Sequence, residues 1–428
     1  MNRTLALLVT LSWLAVVAVA PVSAQTLSSV KPEQVGLSSE QLGRIVAMLR
    51  ADAEKGQIPG AVLLVARHGK IAAFEAAGVL DPAAKTPMTK DAIFRIYSMS
   101  KPITSVAVMA LVEDGKLTPG DPVAKYLPQF AEVKVGVEKP GADGKPTLEL
   151  VSPRRPITVQ DLLRHTSGLT YGVFGASLVK AQYRESGLLS DLRSNADFVD
   201  RLARLPLAYQ PGTTWEYSHS TDVLGRIVEV ISGKSLYEFE KTRILDPLGM
   251  KDTAFDVTDK SKYARIAEAL PNDRMIAADT EFFDPRATQR WQSGGGGMVG
   301  TAIDYARFCQ MLLNGGTLDG RRILGPKTLA YMTSDHLDPS IAPGSAYLPG
   351  PGFGFGLGFA VRRDAGVATV QGSVGELNWG GAAGTFFWID PKEDMFVVYM
   401  MQSPKQRLYY RPILKNMVYG ALIKTNGK

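Results

Sequence analysis

The pattern of apolar and polar residues changes twice along the chain. Near the start, apolar residues at helical spacing follow a capping-box pattern at residues 38–41 and predict a helix. Two β-rich runs, residues 61–67 and 70–76, are separated by His68-Gly69 and predict a hairpin. The first part of the chain therefore indicates strands packed beside a helix.

The middle of the chain is helical, and the last third returns to strands. The predicted helices, joined by long loops rich in Pro and Gly, cover residues 105–113, 159–163, 196–205, 222–231 and 302–313. The predicted later strands cover residues 355–361, 367–371, 384–389 and 395–401, before a last helix at about 412–423. Their short connections favour an antiparallel meander.

Strands at both ends with helices between them indicate one discontinuous α/β (α+β) unit. We expect an antiparallel sheet flanked by helices, with an inserted mainly helical region. The sheet-bearing part covers about 25–95 and 295–428, and the helical part covers about 96–294.

Residues 1–24 have the pattern of a secretory signal peptide. Arg3 precedes a nearly unbroken apolar stretch over residues 5–20, and small residues follow at Val22-Ser23-Ala24. The alternative, a retained membrane anchor, is disfavoured because the apolar run is short for a span. We expect cleavage after Ala24 and an exported protein, periplasmic or secreted, with no membrane attachment.

Charge and cysteine content exclude several classes of protein. The net charge of +6 comes from scattered basic residues, so a nucleic-acid partner is not expected. Cys309 is the only cysteine, which excludes an internal disulfide, and its helical surroundings predict a buried small apolar residue. The four histidines are far apart and have no ligand spacing, so no metal site is expected.

A serine and a lysine three residues apart occur at Ser28/Lys31, Ser98/Lys101 and Ser177/Lys180. Only the second pair opens a helix whose body is apolar on every side. There the two side chains lie one turn apart on the same helix face. The helix N-terminus stabilises a developing oxyanion. Burial favours a neutral lysine, which can take the proton of the serine. The alternative is a capping serine with an exposed lysine, and the residues alone leave both open.

Three segments resemble the serine β-lactamase and penicillin-binding superfamily, above all its class C β-lactamases and family VIII carboxylesterases. They are Phe94-Arg95-Ile96-Tyr97-Ser98-Met99-Ser100-Lys101, Leu162-Leu163-Arg164-His165-Thr166-Ser167-Gly168-Leu169 and Gly294-Gly295-Gly296-Gly297-Met298-Val299-Gly300-Thr301. The resemblance implies a β-lactamase-like fold with Ser98 as nucleophile and Lys101 as its activating partner.

Two other family motifs are altered in this chain. Tyr217-Ser218-His219 stands where the family has Tyr-x-Asn, which implies that Tyr217 is a general base. We expect His219, in the asparagine position, to line the substrate site or simply to be hydrogen-bonded, and a catalytic role is the alternative. Trp379-Gly380-Gly381 replaces Lys-Thr-Gly and resembles the Trp-x-Gly of the family VIII esterases. Gly380 and Gly381 would let the strand approach the substrate, and the N–H groups of Ala382 and Ser98 would form an oxyanion hole.

Together these features predict a serine hydrolase that cleaves carboxylic esters through an acyl-enzyme, without a cofactor. The apolar Trp379, in place of a lysine, favours neutral esters over carboxylated lactams. Two alternatives stay open: a β-lactamase, D-amino-acid peptidase or amidase of the same fold, and a non-catalytic penicillin-binding-like sensor. Transfer of the acyl group to an alcohol is a further variant. The substrate is a small ester or amide, and the oligomeric state is not indicated.

Overall fold

The centre of the fold is a sheet assembled from the two ends of the chain. The computed structural model describes residues 27–271, 273–275 and 282–426, so the predicted signal peptide lies outside the described residues. The strands of this sheet are β1 (Ser28–Ser29), β2 (Gly60–Arg67), β3 (Lys70–Asp81), β4 (Thr86–Pro87), β5 (Phe353–Phe355), β6 (Ala360–Arg362), β7 (Leu377–Gly380), β8 (Phe386–Asp390) and β9 (Met395–Met401). Their order is β1-β3-β2-β9-β8-β7-β6-β5, with β4 on β3. Every pairing is antiparallel except the short β1–β3 pair, so the sheet is mixed.

Helices cover both faces of the sheet. They are α1 (Ser39–Glu54), α2 (Ser100–Glu113), α3 (Val159–Leu163), α4 (Leu178–Glu185), α5 (Asn195–Leu202), α6 (Ser220–Ser232), α7 (Leu236–Glu240), α8 (Asp246–Leu248), α9 (Ala302–Leu313), α10 (Pro326–Met332) and α11 (Arg407–Tyr419). Short two-stranded pairs lie outside the main sheet: Phe94–Arg95 with Val299–Gly300, Val135–Pro140 with Pro146–Val151, Thr214–Trp215 with Ala342–Pro343, and Thr317–Leu318 with Arg321–Arg322. None of the described helices is long and apolar enough to cross a membrane.

Strand β2 shows why the sheet is covered on both sides. All of its residues are buried, and successive side chains enter different apolar clusters because the side-chain period of a strand is two. Val62 and Leu64 belong to the cluster shared with α2 and α9, whereas Leu63 and Val65 belong to the one shared with α1 and α11. The sheet is therefore the middle layer of the molecule.

The predicted fold class is confirmed, and several predicted elements match closely. The helices at 159–163 and 302–313 have the expected bounds, and Cys309 is buried in the second of them. The turn between β2 and β3 is His68-Gly69, with φ values of 54° and 68°, which matches the twist of a two-residue hairpin.

Other predicted elements were wrong. Residues 355–361 form parts of two strands, β5 and β6, because the chain turns at Gly358, whose φ is 112°. Residues 367–371 do not form a strand. Helix α11 begins at Arg407, before the expected start at Pro412, because Tyr410 is buried and donates a hydrogen bond to Asp52 across the layer, 2.7 Å away.

A carboxylic acid is buried behind α2. Glu240, at the end of α7, accepts a hydrogen bond of 2.7 Å from Thr104 of α2. Its second carboxyl oxygen has no hydrogen-bond partner among the described residues. Burial raises the pKa of Glu240 to about 8, so this side chain is protonated at neutral pH.

We predict that Glu240 makes stability depend on pH. Its pKa is higher in the folded chain than its ordinary value of 4.5, so the folded state binds the proton more tightly and stability falls as pH rises from about 4.5 to 8. Glu240→Gln, which keeps the neutral shape, should remove this dependence and raise the melting temperature at pH 8. Thermal unfolding of both proteins between pH 5 and 8 measures the effect. If the melting temperatures of the two proteins changed equally with pH, this prediction would be contradicted.

Candidate active site

Ser98 lies in a short turn that leads into α2. The turn is a 3-10 helix, Tyr97–Met99, and α2 itself begins at Ser100. Tyr97 has φ of 44°, a left-handed conformation that costs energy for a bulky residue and that surrounding contacts must hold in place. The hydroxyl of Ser100 donates to the carbonyl of Tyr97 at 2.7 Å, and Tyr305 donates to the carbonyl of Met99 at 2.9 Å. The backbone around Ser98 is thus fixed from two directions.

Lys101 follows one turn later and is completely buried, with 0 % exposure. Its ammonium nitrogen lies 3.3 Å from Ser98 Oγ, 2.9 Å from Tyr171 Oη and 2.5 Å from the carbonyl oxygen of Gly295. These three oxygens match the three N–H groups of a charged lysine. The alternative of an exposed lysine is therefore wrong.

A buried carboxylate supports Lys101 from behind. Asp222 of α6 accepts hydrogen bonds from the Gly295 N–H at 3.0 Å and from Ser293 Oγ at 2.5 Å. Burial alone would raise the pKa of Asp222, but the hydrogen bond from His219 and the charge of Lys101 bring it below its ordinary value. Asp222 thus holds the segment whose carbonyl group binds Lys101 and also offsets the buried positive charge.

His219 lies away from the reacting groups. Its Nδ1 donates to Asp222 at 2.9 Å, and its ring packs edge-on against Tyr171 with ring centres 4.3 Å apart. It is not among the described residues that line the active-site cavity. The expected contact between His219 and the substrate therefore has no support in the geometry, and the side chain positions Asp222 and Tyr171.

Tyr217 and Trp379 meet above the nucleophile. The indole N–H of Trp379 donates to Tyr217 Oη at 3.2 Å, and Lys101 Nζ lies 4.6 Å from the centre of the Tyr217 ring. The Tyr217 hydroxyl thus accepts a hydrogen bond from the indole, and its ring lies beside a cation. Tyr217 is nearly buried, at 7 % exposure.

These groups open into one cavity of about 410 Å³. Of the predicted residues, it is lined by Ser98, Tyr217, Trp379, Gly380, Gly381 and Ala382. The N–H of Ala382 makes no hydrogen bond within the described part of the chain, and β7 packs beside the turn that carries Ser98. The backbone N–H of Ala382 is therefore free to bind a ligand beside Ser98.

The two glycines of this segment have a packing role. A Cβ atom on Gly381 would collide with the carbonyl oxygen of Ile96 and with Thr385, and one on Gly380 would collide with the guanidinium of Arg411. The absence of side chains thus lets β7 and the residue after it lie against the turn that carries Ser98 and against α11.

Sequence reasoning missed three residues of the site: Tyr171, Asp222 and the carbonyl of Gly295. Tyr171 lies two residues after the recognised segment at residues 162–169, and Gly295 lies within the recognised segment at 294–301. Both segments were identified as motifs, but their contacts with Lys101 depend on tertiary folding. Asp222 had no local signal.

The other two serine–lysine pairs serve different purposes. Ser177 caps α4, and Lys180 is buried in an ion pair with Glu216 at 2.8 Å. Ser28 lies in β1 at the edge of the sheet. Among the described residues, no group of three or more His, Cys, Asp or Glu side chains is arranged to hold a metal ion.

Several known proteins are similar to this chain in sequence or in structure. The chain is 34 % identical over 391 residues to esterase EstB of Burkholderia gladioli, covering 85 % of this chain and 91 % of that one. It is 30 % identical over 383 residues to lovastatin esterase of Penicillium rubens, covering 83 % and 91 %. The solved structure of EstCE1, a hydrolase with promiscuous acyltransferase activity, superposes with a TM-score of 0.73 at 29 % identity, over 90 % of this chain and 99 % of that one.

The model of the Beta-lactamase family matches residues 45–414, nearly the whole described chain. This match includes every residue of the Ser98 site described above. The chain therefore belongs to the β-lactamase family of serine hydrolases.

Proposed function

We propose that this protein is a carboxylesterase that works through an acyl-enzyme on Ser98. The observation that carries the proposal is the single cavity that brings Ser98, Tyr217 and the N–H of Ala382 together next to an aromatic wall. Similarity to two esterases over more than four-fifths of the chain supports the same reaction class.

Attack begins with removal of the proton from Ser98. Lys101 donates to the carbonyl of Gly295, which can only accept, and its remaining contacts are the oxygens of Tyr171 and Ser98. In our scheme Lys101 keeps its proton, and Tyr217 acts as the base in its phenolate form. Ser98 Oγ then bonds to the ester carbonyl carbon, and its proton moves to Tyr217.

Collapse of the tetrahedral intermediate breaks the bond to the alcohol. The N–H groups of Ser98 and Ala382 would stabilise the oxyanion, and Tyr217 returns the proton to the departing alkoxide. Water then attacks the acyl-enzyme, with Tyr217 accepting a proton from it, and the carboxylic acid leaves as Ser98 is regenerated. Each proton that Tyr217 accepts is returned within one turnover.

The residues of strand β7, beside the cavity, support the inference that the substrates are esters rather than lactams. Where the family motif has a lysine and a threonine, β7 carries Trp379 and Gly380, so the usual partner of a lactam carboxylate is missing from this strand. Trp379 instead donates a hydrogen bond to Tyr217 and forms part of the cavity wall.

We further propose that the protein is exported, on the pattern of residues 1–24.

We predict that Ser98→Ala abolishes ester hydrolysis. With purified protein and p-nitrophenyl butyrate, kcat should fall at least about a thousandfold, because the covalent step is lost. The wild type should cleave this ester faster than a chromogenic cephalosporin.

The matched control is Ser28→Ala, which removes the serine of another Ser-x-x-Lys pair at the sheet edge and should retain full turnover. Unchanged turnover in Ser98→Ala would mean that Ser98 is not the nucleophile. Faster turnover of the cephalosporin by the wild type would identify a β-lactamase, and no turnover of either substrate would favour a binding protein.

We predict that Tyr171→Phe slows catalysis without weakening substrate binding. The change leaves one N–H of buried Lys101 without its acceptor at 2.9 Å, which disturbs the charge that Tyr217 depends on. We expect kcat to fall about tenfold or more, with little change in KM. Tyr126→Phe removes a tyrosine–carboxylate hydrogen bond far from the cavity and should leave kcat unchanged. Equal rates for Tyr171→Phe and the wild type would contradict the role of this hydroxyl.

A further inference from the structure

A buried ion pair lies next to the segments that form the cavity wall. Lys180 of α4 is 2 % exposed and Glu216 is 1 % exposed, and their charged groups lie 2.8 Å apart. Neither residue is among the described residues that line the cavity. The reaction scheme proposed above uses neither of them, so this pair of buried charges needs another explanation.

The ammonium group of Lys180 joins separate segments of the chain. It donates to the carbonyl oxygen of Phe174 at 2.6 Å, to Ser345 Oγ at 2.6 Å and to Glu216 Oε1 at 2.8 Å. These three acceptors use all three N–H groups of a charged lysine. Ser345 Oγ in turn donates to the same carbonyl of Phe174 at 3.1 Å. One nitrogen therefore ties α4 to two loops.

Glu216 joins the ion pair to the reacting groups. It directly precedes Tyr217, and its Oε1 also accepts a hydrogen bond of 2.9 Å from Thr170, the neighbour of Tyr171. Its Oε2 is buried and has no hydrogen-bond partner among the described residues. A Cβ atom on Gly344 would collide with this oxygen, so the backbone there passes directly against the carboxylate. The carboxylate thus contacts the segments on which both tyrosines depend.

The two loops held by Lys180 also carry wall residues of the cavity. Phe174, whose carbonyl binds Lys180, lines the cavity, and the centre of its ring lies 6.0 Å from that of Tyr217. Leu348, three residues after Ser345, lines the cavity as well. Because both wall segments and the proposed base are attached to one ion pair, the spacing between them depends on it.

Stability alone does not account for this ion pair. Two buried charges lose their hydration, and replacement of such a pair by apolar groups of similar volume is often neutral or stabilising. Hydrogen bonds to charged groups are instead short and directional, so they fix the groups that they join. Here they hold the two loops and the segment before Tyr217 at contacts of 2.6 to 2.8 Å.

We propose that Lys180 and Glu216 form a clamp that sets the width of the cavity and so selects esters with narrow acyl or alcohol groups. The clamp keeps the loops of Phe174 and Ser345 together, so the wall beside Ser98 does not open to admit a wide group. Lys180 and Glu216 are positioning residues, since they act through the loops that they hold. This inference rests on the proposed esterase function and specifies the shape of its substrates.

Matched ester pairs measure the width that the cavity accepts. p-Nitrophenyl butyrate and p-nitrophenyl cyclohexanecarboxylate differ in the width of the acyl group. Propyl butyrate and cyclohexyl butyrate differ in the width of the alcohol group. For each pair, the wide-to-narrow ratio of kcat/KM is compared between the wild type and each variant, so that the intrinsic reactivities of the esters cancel.

Ser345→Ala cuts one link of the clamp without leaving a buried charge unpaired. Ser345 is exposed, so this variant should fold normally. We expect the wide-to-narrow ratio to rise about twofold to tenfold in at least one pair, as for the loss of one hydrogen bond. The matched control is Ser340→Ala, which removes an exposed hydroxyl just before the same loop that makes no hydrogen bond within the described chain. It should leave the ratio unaltered.

Lys180→Met/Glu216→Gln removes both charges of the clamp together. Either single change would leave one buried charge unpaired and would destabilise the fold, whereas the double change keeps the volumes and the acceptor for Thr170. We expect the ratio to rise at least as much as in Ser345→Ala, and kcat for the narrow ester to fall because Tyr217 follows Glu216.

The ratio separates a clamp from a purely structural ion pair. A structural pair would change the melting temperature but leave the ratio at its wild-type value in Ser345→Ala and in the double variant, and this result would overturn the proposal. An equal fall of kcat/KM for both members of each pair, or a lower ratio, would overturn it as well. If the double variant does not fold, the result for Ser345→Ala decides.

A binding measurement keeps the test independent of turnover. Calorimetry on Ser98→Ala with methyl butyrate and methyl cyclohexanecarboxylate gives their relative affinity, which should shift towards the wide ester in Ser98→Ala/Ser345→Ala. If no ester is hydrolysed but this shift is found, the esterase proposal fails and the clamp stands. If esters are hydrolysed through Ser98 but neither the ratio nor the relative affinity depends on Ser345, the clamp fails alone.

Discussion

A buried ammonium group imposes the main constraint on this molecule. Lys101 has no contact with solvent, so protein oxygens must replace the water that it loses. Tyr171, Gly295 and Ser98 supply them from three separate parts of the chain, and Asp222 balances the charge. The turn with Ser98 and the start of α2, the loop after residue 169 and the glycine segment before α9 are therefore fixed relative to one another by the contacts of one side chain.

Charge is distributed unevenly around the reacting groups. On the Lys101 side, the positive charge is fully coordinated and has a nearby anion. On the α11 side, Lys415 is paired with Glu376, whereas Arg407 and Arg411 keep donors directed at carbonyl groups only. The first arrangement serves proton transfer in our scheme, and the second holds α11 against the residues on either side of β7. Trp379 lies between the two and couples the cavity wall to Tyr217 through its indole N–H.

The sequence pattern predicted those helices and strands whose positions depend on periodicity and turn residues within the element itself. The β2–β3 hairpin, α3, α9 and the strand at residues 395–401 could be read from periodicity and turn residues, because burial follows the repeat of each element. The start of α11 could not, since Tyr410 is placed by its bond to Asp52, over three hundred residues earlier. For the site, Ser98 and Lys101 were identified by helix context and family resemblance. Tyr171 and Arg411 depend on contacts between distant segments and have no local signature.

The central sheet pairs strands from the two ends of the chain, and this pairing determines when the sheet can form during synthesis. Strand β2 pairs with β9, and the buried ion pair between Arg67 and Glu393 joins residues 326 positions apart. Synthesis runs from the N-terminus, and such distant pairings form slowly because a long loop must close first. Ser98 is made early, but Ala382, its proposed partner in an oxyanion hole, and the neighbouring strand β7 are made near the end. In the proposed mechanism, a growing or truncated chain thus has the serine without the backbone that would make it reactive, and hydrolysis begins only once the whole chain is assembled.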